Sequence, residues 1–184
     1  MKTNATQMRA KAQVYAEVLL EAAMASDQVF PLTGEYEELL TAVRGSFDLR
    51  NALSDVALPL ETKKGIIAEV FTGFAPELLA VLEVMVDRDD LAVLARAYEA
   101  YVMLAEKALN AVILDVTTVV PLDDALREQI VGKYSAQLGC GVLLREHIDA
   151  SLIGGIVLSI HGKRIDASVA SQLENARHVL SKTY

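Results

Sequence analysis

Apolar side chains recur every three to four positions through the first 110 residues, and the period shortens to two soon afterwards. From Met8 to Ala25, Val14, Val18 and Ala22 form one stripe with Lys11, Glu17 and Glu21 outside it, the pattern of an amphipathic helix. Phe30-Pro31-Leu32-Thr33-Gly34 interrupts that pattern. A second helix is predicted through Tyr36, Leu39, Leu40, Val43 and Phe47, and the stretch from Leu53 to Pro59 reads as a turn. Ile66, Ile67, Val70 and Phe71 predict a helix that ends near Gly73. Pro76 suits the first turn of the next one, which runs to about Val86. After the charged corner Asp87-Arg88-Asp89-Asp90, a long helix carries the stripe Leu91, Leu94, Tyr98, Val102, Ala105 and Leu109.

Beyond Asn110, Val112, Leu114, Val116 and Val120 alternate with Asp115 and Thr117, as in a strand. Pro121-Leu122-Asp123-Asp124 opens a helix through Leu126, Ile130, Tyr134 and Leu138 that stops at Gly139. Alternation returns from Val142 to Asp149, and two more strands, Gly155–Ile160 and Lys163–Asp166, turn at Gly162. A last helix begins near Asp166 or Ser168, either of which can cap it, with Val169, Leu173, Ala176 and Leu180 as its stripe. The expected fold is mainly α: a helical bundle over residues 1–110 and a small α/β domain over residues 111–184.

Composition narrows the class. The hydrophobic share is 53% and mean hydropathy +0.31. Yet the longest stretch free of Asp, Glu, Lys and Arg, Ala150 to Gly162, holds two adjacent glycines and is far short of the ~20 apolar residues of a spanning helix. Lys2, Arg9, Lys11, Glu17 and Glu21 leave no uninterrupted signal-peptide core, so a cytosolic protein is expected. The net charge of −8 argues against nucleic acid as the main ligand. Residues 1–110 hold ten basic and seventeen acidic side chains, while residues 111–184 hold seven and eight, an asymmetry that also suggests two units. Cys140, the single cysteine, excludes an internal disulfide.

No catalytic constellation stands out. Gly162-Lys163 ends like a phosphate-binding loop, but Val157 occupies the first glycine position and Arg164 the final hydroxyl position, so a strand–strand turn is the better reading. His147, His161 and His178 fall on separate elements without ligand spacing. The adjacent pairs Asp89-Asp90 and Asp123-Asp124 do not converge on one point, and the second suits a helix start. Cys140, between two glycines, has no activating base nearby in sequence. No catalytic, metal or cofactor residue is therefore assigned.

Two features point to partners. From Leu78 to Val86 only Glu83 is charged, so apolar positions cover almost the whole helix circumference. Such a helix is either central in the bundle or one wall of a groove for a partner helix, and Tyr15 admits the same two readings. The terminal helix packs on the sheet or offers a docking edge.

These residues resemble a known family. Tyr15-Ala16 with Leu19, then Leu53 through Leu58 followed by Lys64, are similar to the start of an F-type ATP synthase delta subunit. Thr118-Val119-Val120-Pro121-Leu122 resembles its passage from first strand to helix. The most specific match is Asp149-Ala150-Ser151-Leu152-Ile153-Gly154-Gly155, then Gly162, then Ile165-Asp166-Ala167-Ser168-Val169 and Leu173. Two positions depart: Asp90 stands where the family often has arginine, and Thr118-Val119 where it has Ser-Ala. The mitochondrial oligomycin-sensitivity-conferring protein is also similar, but acidity and length fit the bacterial subunit better.

The resemblance implies a six-helix N-terminal bundle, a small α/β C-terminal domain, and a stator role without bond chemistry or cofactor. It implies that an alpha-subunit helix sits between helix one (Tyr15, Val18, Leu19) and helix five (Val81, Val84, Met85), and that the b-subunit stalk is held near Val169 and Leu173. Asp149, Gly154, Gly155, Gly162, Asp166 and Ser168 then serve the backbone geometry of the motif. It further implies one copy per complex, peripheral attachment at the cytoplasmic face of the cell membrane, and neither nucleic acid nor membrane insertion. The rival readings are an unrelated helical scaffold and an enzyme built on the loops around Gly162.

Overall fold

The computed structural model describes residues 2–173 and Arg177. Two compact units emerge, one through Leu109 and one from Asn110 onward. Asn110 takes a left-handed backbone (φ 48°), which ends the preceding helix as asparagine readily does.

The first unit contains α1 (Lys2–Ala25), α2 (Pro31–Gly45), α3 (Phe47–Ser54), α4 (Leu60–Val70), α5 (Pro76–Asp87), a 3₁₀ turn (Leu91–Val93) and α6 (Leu94–Leu109). Helix α1 lies along α6 and touches α5, while α2 packs on α6 and α4 on α5. The face that α1 buries is not the valine stripe. Ala12, Tyr15, Ala16, Leu19 and Ala23 enter the core, while Val14 and Val18 stay 57% and 52% exposed. The alanines let the backbone of α1 come close to α6, whose own buried face is Leu94, Ala97, Tyr101 and Ala105. Close approach of small residues lets many weak dispersion contacts add up, which hydropathy alone undervalues. Two tyrosine hydroxyls pin the packing: Tyr36 donates to the Leu94 carbonyl (3.1 Å) and Tyr101 to the Val29 carbonyl (2.9 Å).

Three local expectations are corrected. Pro31 occupies the first turn of α2 and starts that helix. The turn read from Leu53 to Pro59 starts later, at Asp55, because Leu53 and Ser54 finish α3, a helix of eight residues capped by Ser46, whose hydroxyl accepts from the Leu49 N–H. Phe47 accordingly belongs to α3 and points outward.

The second unit runs β1 (Ala111–Thr118), α7 (Asp124–Leu138), β2 (Gly141–Ile148), β3 (Gly155–Ile160) and β4 (Lys163–Ser168), in sheet order β2-β1-β3-β4. Strands β1 and β2 are parallel and joined through α7; β3 and β4 are antiparallel additions. Asp123 caps α7 by accepting from Leu126, and Gly139 ends it in a left-handed conformation. Leu114, Val116, Val142 and Leu158 from the sheet meet Leu122, Ile130 and Tyr134 in one core. Arg127 on α7 clasps the Glu146 carboxylate of β2 with two N–H groups. Val120 is exposed and outside β1, because the Thr118 hydroxyl bonds the Val120 carbonyl (2.7 Å) and turns the chain toward Pro121. Among the described residues, no helix is long and apolar enough to cross a membrane.

Candidate partner-binding surface

On the first unit, Val14 and Val18 project outward from α1, and on the neighbouring α5 Val84 is 43% exposed beside half-buried Val81. Glu17 and Glu21 on α1 and Asp87 at the end of α5 are exposed on the same helices. Of the six positions that the resemblance assigns to a groove here, Val18 and Val84 are exposed and Val81 is half-buried. Leu19 and Met85 have no exposed area, and Tyr15 is buried; these three hold the helices in place from inside. Leu19 falls on the core side because the buried face of α1 runs through Ala12, Tyr15, Ala16 and Ala23, so Val18, one residue away, faces out; Met85 lies on the buried face of α5 with Leu78, Leu82 and Val86. Val14 is the surface residue that the valine-stripe reading hid.

Asp90 connects these helices. Although it sits in a charged corner of the sequence, its side chain is almost fully covered. It accepts from the Tyr15 hydroxyl (2.9 Å) and from the Lys11 ammonium, tying α1 to the residues just after α5. Burial works to raise the Asp90 pKa, but the bonds from Lys11 and Tyr15 and the charges of Lys11 and Arg88 outweigh it and hold the carboxyl below its ordinary value. Burial, then the bond to Asp90, pushes the Tyr15 phenol up. The folded-state pKa of Asp90 is depressed, so its contribution is complete above the unfolded value and disappears as pH falls through the folded one. The midpoint of urea unfolding should therefore fall more steeply below pH 4 in the parent protein than in an Asp90→Asn variant. At pH 7, Asp90→Ala should cost about 1–3 kcal/mol, since it strands the Tyr15 hydroxyl. Parallel pH profiles for parent and variant would refute the tie.

In the second unit, the motif residues form a backbone lock. Asp149 Oδ1 accepts from the Ser151 N–H (2.9 Å), and its own N–H donates to the Thr118 carbonyl (2.8 Å). Gly155 pairs with Ser168, and the Val169 N–H donates to the Gly154 carbonyl (3.0 Å). Asp166 accepts from the Ser168 N–H (3.0 Å), which holds its carboxyl below the ordinary range. The Ser168 hydroxyl then accepts from Ser171 (3.3 Å), so Ser168, not Asp166, caps the helical turn at 169–173. His161 and Gly162 both have positive φ (47° and 76°), as a two-residue hairpin turn requires. This is the turn between β3 and β4, and Val157 lies within β3.

Val169 and Leu173 are exposed beyond this lock, and Ala176, His178 and Leu180 lie outside the described residues. His147 lies 3.5 Å from Asp115, which already takes the Arg145 Nε–H at 2.6 Å in the adjacent strand. Cys140 is a half-buried free thiol.

Fold and surface together define a class: a helix-rich chain with a small mixed sheet and exposed valines on two helices that touch each other. The family described as the ATP synthase delta (OSCP) subunit matches residues 12–180. The ATP synthase subunit delta of Prochlorococcus marinus subsp. pastoris is 35% identical over 170 residues, spanning 91% of this chain and 94% of that protein. Its counterpart in Anaeromyxobacter dehalogenans is 31% identical over 173 residues, spanning 93% and 97%. A chain of the Toxoplasma gondii mitochondrial ATP synthase hexamer shares the fold, with a TM-score of 0.50 and 19% identity over 92% of this chain and 96% of that one. The chain belongs to the ATP synthase delta (OSCP) subunit family. It is a peripheral-stalk, or stator, subunit of an F-type ATP synthase.

Proposed function

We propose that the first unit acts as a six-helix bundle that receives the N-terminal helix of an alpha subunit across α1 and α5, while the second unit grips the b-subunit stalk near Val169 and Leu173. The subunit performs no bond chemistry; it ties the catalytic head to the stalk at the cytoplasmic face of the cell membrane and keeps the head from turning with the shaft. The observation that carries this reading is the exposure of Val14, Val18 and Val84, large apolar side chains on two helices that touch each other. Exposed acids on the same helices favour a partner helix that bears basic residues. Two modest grips in one assembly gain avidity on the order of 10²–10⁴-fold, which suits a part under torque.

Isothermal titration of the full chain with a peptide of the alpha subunit's N-terminal segment tests it. One-to-one binding is expected, weakened at least about tenfold by Val84→Asp, a cost of about 1.4 kcal/mol, with the far-UV spectrum unchanged. Absence of binding to folded protein, or an unaffected Val84→Asp variant, would remove the alpha helix from this surface.

A further inference from the structure

We propose that a second groove, between α1 and α6, is a docking site for an acidic amphipathic helix of a partner protein. It lies roughly half a helical turn around α1 from the Val14–Val18 strip, at about 100° per residue. Its volume is about 590 Å³, and its floor is apolar, with Ala12, Ala100 and Leu104 at the bottom. Met103 stands 68% exposed at its edge, an adaptable side chain of the kind that accepts helices.

Charge selects the occupant. Unit one has seven more acidic than basic side chains, yet Arg9, Arg96 and Lys107 line this groove against a single carboxylate, Glu99. Among the described residues Arg9 and Lys107 make no ion pair, and the Arg96 guanidinium donates only to the Met8 sulfur, at 3.7 Å. A local cationic rim in an acidic domain steers an anionic partner and repels basic ones. Arg96 to Lys107 spans ~16 Å of α6 at about 1.5 Å per residue, room for about three helical turns. A concave slot between two helices fits a rod better than a flat lipid surface does, which favours a helix over an anionic membrane.

The test uses the full chain and two synthetic helical peptides of about twelve residues with the same leucine stripe, one flanked by glutamates and one by lysines. The glutamate peptide should bind at least about tenfold more tightly, and more weakly as salt rises. Met103→Asp should abolish its binding, Arg96→Glu with Lys107→Glu should reverse the preference, and Val84→Asp should change nothing. The altered side chains are exposed, so thermal melts should match the parent and separate lost binding from lost folding. Equal binding of both peptides, or indifference to charge reversal, overturns the proposal. Binding confined to phosphatidylglycerol vesicles assigns the face to lipid and overturns it too. So does a concentration-dependent dimer that Met103→Asp dissolves. Because Val84→Asp reports only on the α1–α5 strip, failure here leaves that strip untouched.

Discussion

Gly155→Ala should unfold the second unit while the helical unit still stands. Gly155 has φ +87°, a left-handed conformation that costs alanine about 1–2 kcal/mol. An added Cβ would sit 2.6 Å from the Ala167 carbonyl oxygen and 2.7 Å from the Ser168 Cα. Both are backbone atoms of the paired strand, so no rotamer change can relieve the clash, and overpacking of this sort costs a further ~1–3 kcal/mol. The total of about 2–5 kcal/mol is a large fraction of what a small domain has. Gly132 provides the contrast. It lies in the middle of α7, and the space that an added methyl group would fill has no neighbour within 4 Å, so Gly132→Ala should stabilise the same unit by about 0.5–1 kcal/mol. Amide hydrogen exchange across β1 and β3 reads both variants. Protection of those strands in Gly155→Ala equal to the parent's would show that the lock is not needed.

Leu19→Ala should cost about 3 kcal/mol of stability in the first unit, while Val18→Ala, one residue away, should cost no more than about 0.5 kcal/mol. Leu19 has no exposed area and sits among Tyr15, Ala16 and Ala23 in the core; truncating it leaves a cavity that rigid helices only partly fill. Val18 faces out, so its loss is felt in docking: the affinity for the alpha-subunit peptide should drop while the urea midpoint holds. Urea unfolding and peptide titration on the two variants separate the roles. Equal destabilisation by both substitutions would mean that the α1 face has been assigned to the wrong side.

The pair also shows where the sequence is easy to read and where it is not. Elements bounded by strong local chemistry are legible: Asp123 and Gly139 bracket α7, Gly162 marks the hairpin, and the change of period near Asn110 coincides with the left-handed residue that ends α6. The buried face of α1 is not. Val14 and Val18 outweigh Ala12, Ala16 and Ala23 on any hydropathy scale, but the alanines win the core because they permit close helix contact. On α6 the error is smaller: Ala97 and Tyr101 are buried, while Tyr98 and Val102, one position on, are only half-buried. Helix α3 escapes notice because eight residues give barely two turns of pattern. The Asp90 tie to Lys11 and Tyr15 joins positions more than seventy residues apart, which no local window can reveal. Within the candidate surface, residue identity is legible but orientation is not: Val18 and Val84 face solvent, Leu19 and Met85 do not.

The sheet order has a consequence for synthesis. Strand β1 is central, yet both of its neighbours are encoded after it, from Gly141 and from Gly155 onward. As the chain leaves the ribosome, Leu109 completes every segment the helical unit needs, whereas β1 must wait for its partners, on the order of seconds at about 5–20 residues per second. During that interval Ala111–Thr118, a β-prone stretch whose single charge is Asp115, is made but cannot pair within the sheet. The nascent chain thus offers a finished helical module ahead of a sticky unfinished one, and the hazard in making this subunit is concentrated in the roughly thirty to forty residues of translation that separate β1 from its two neighbours.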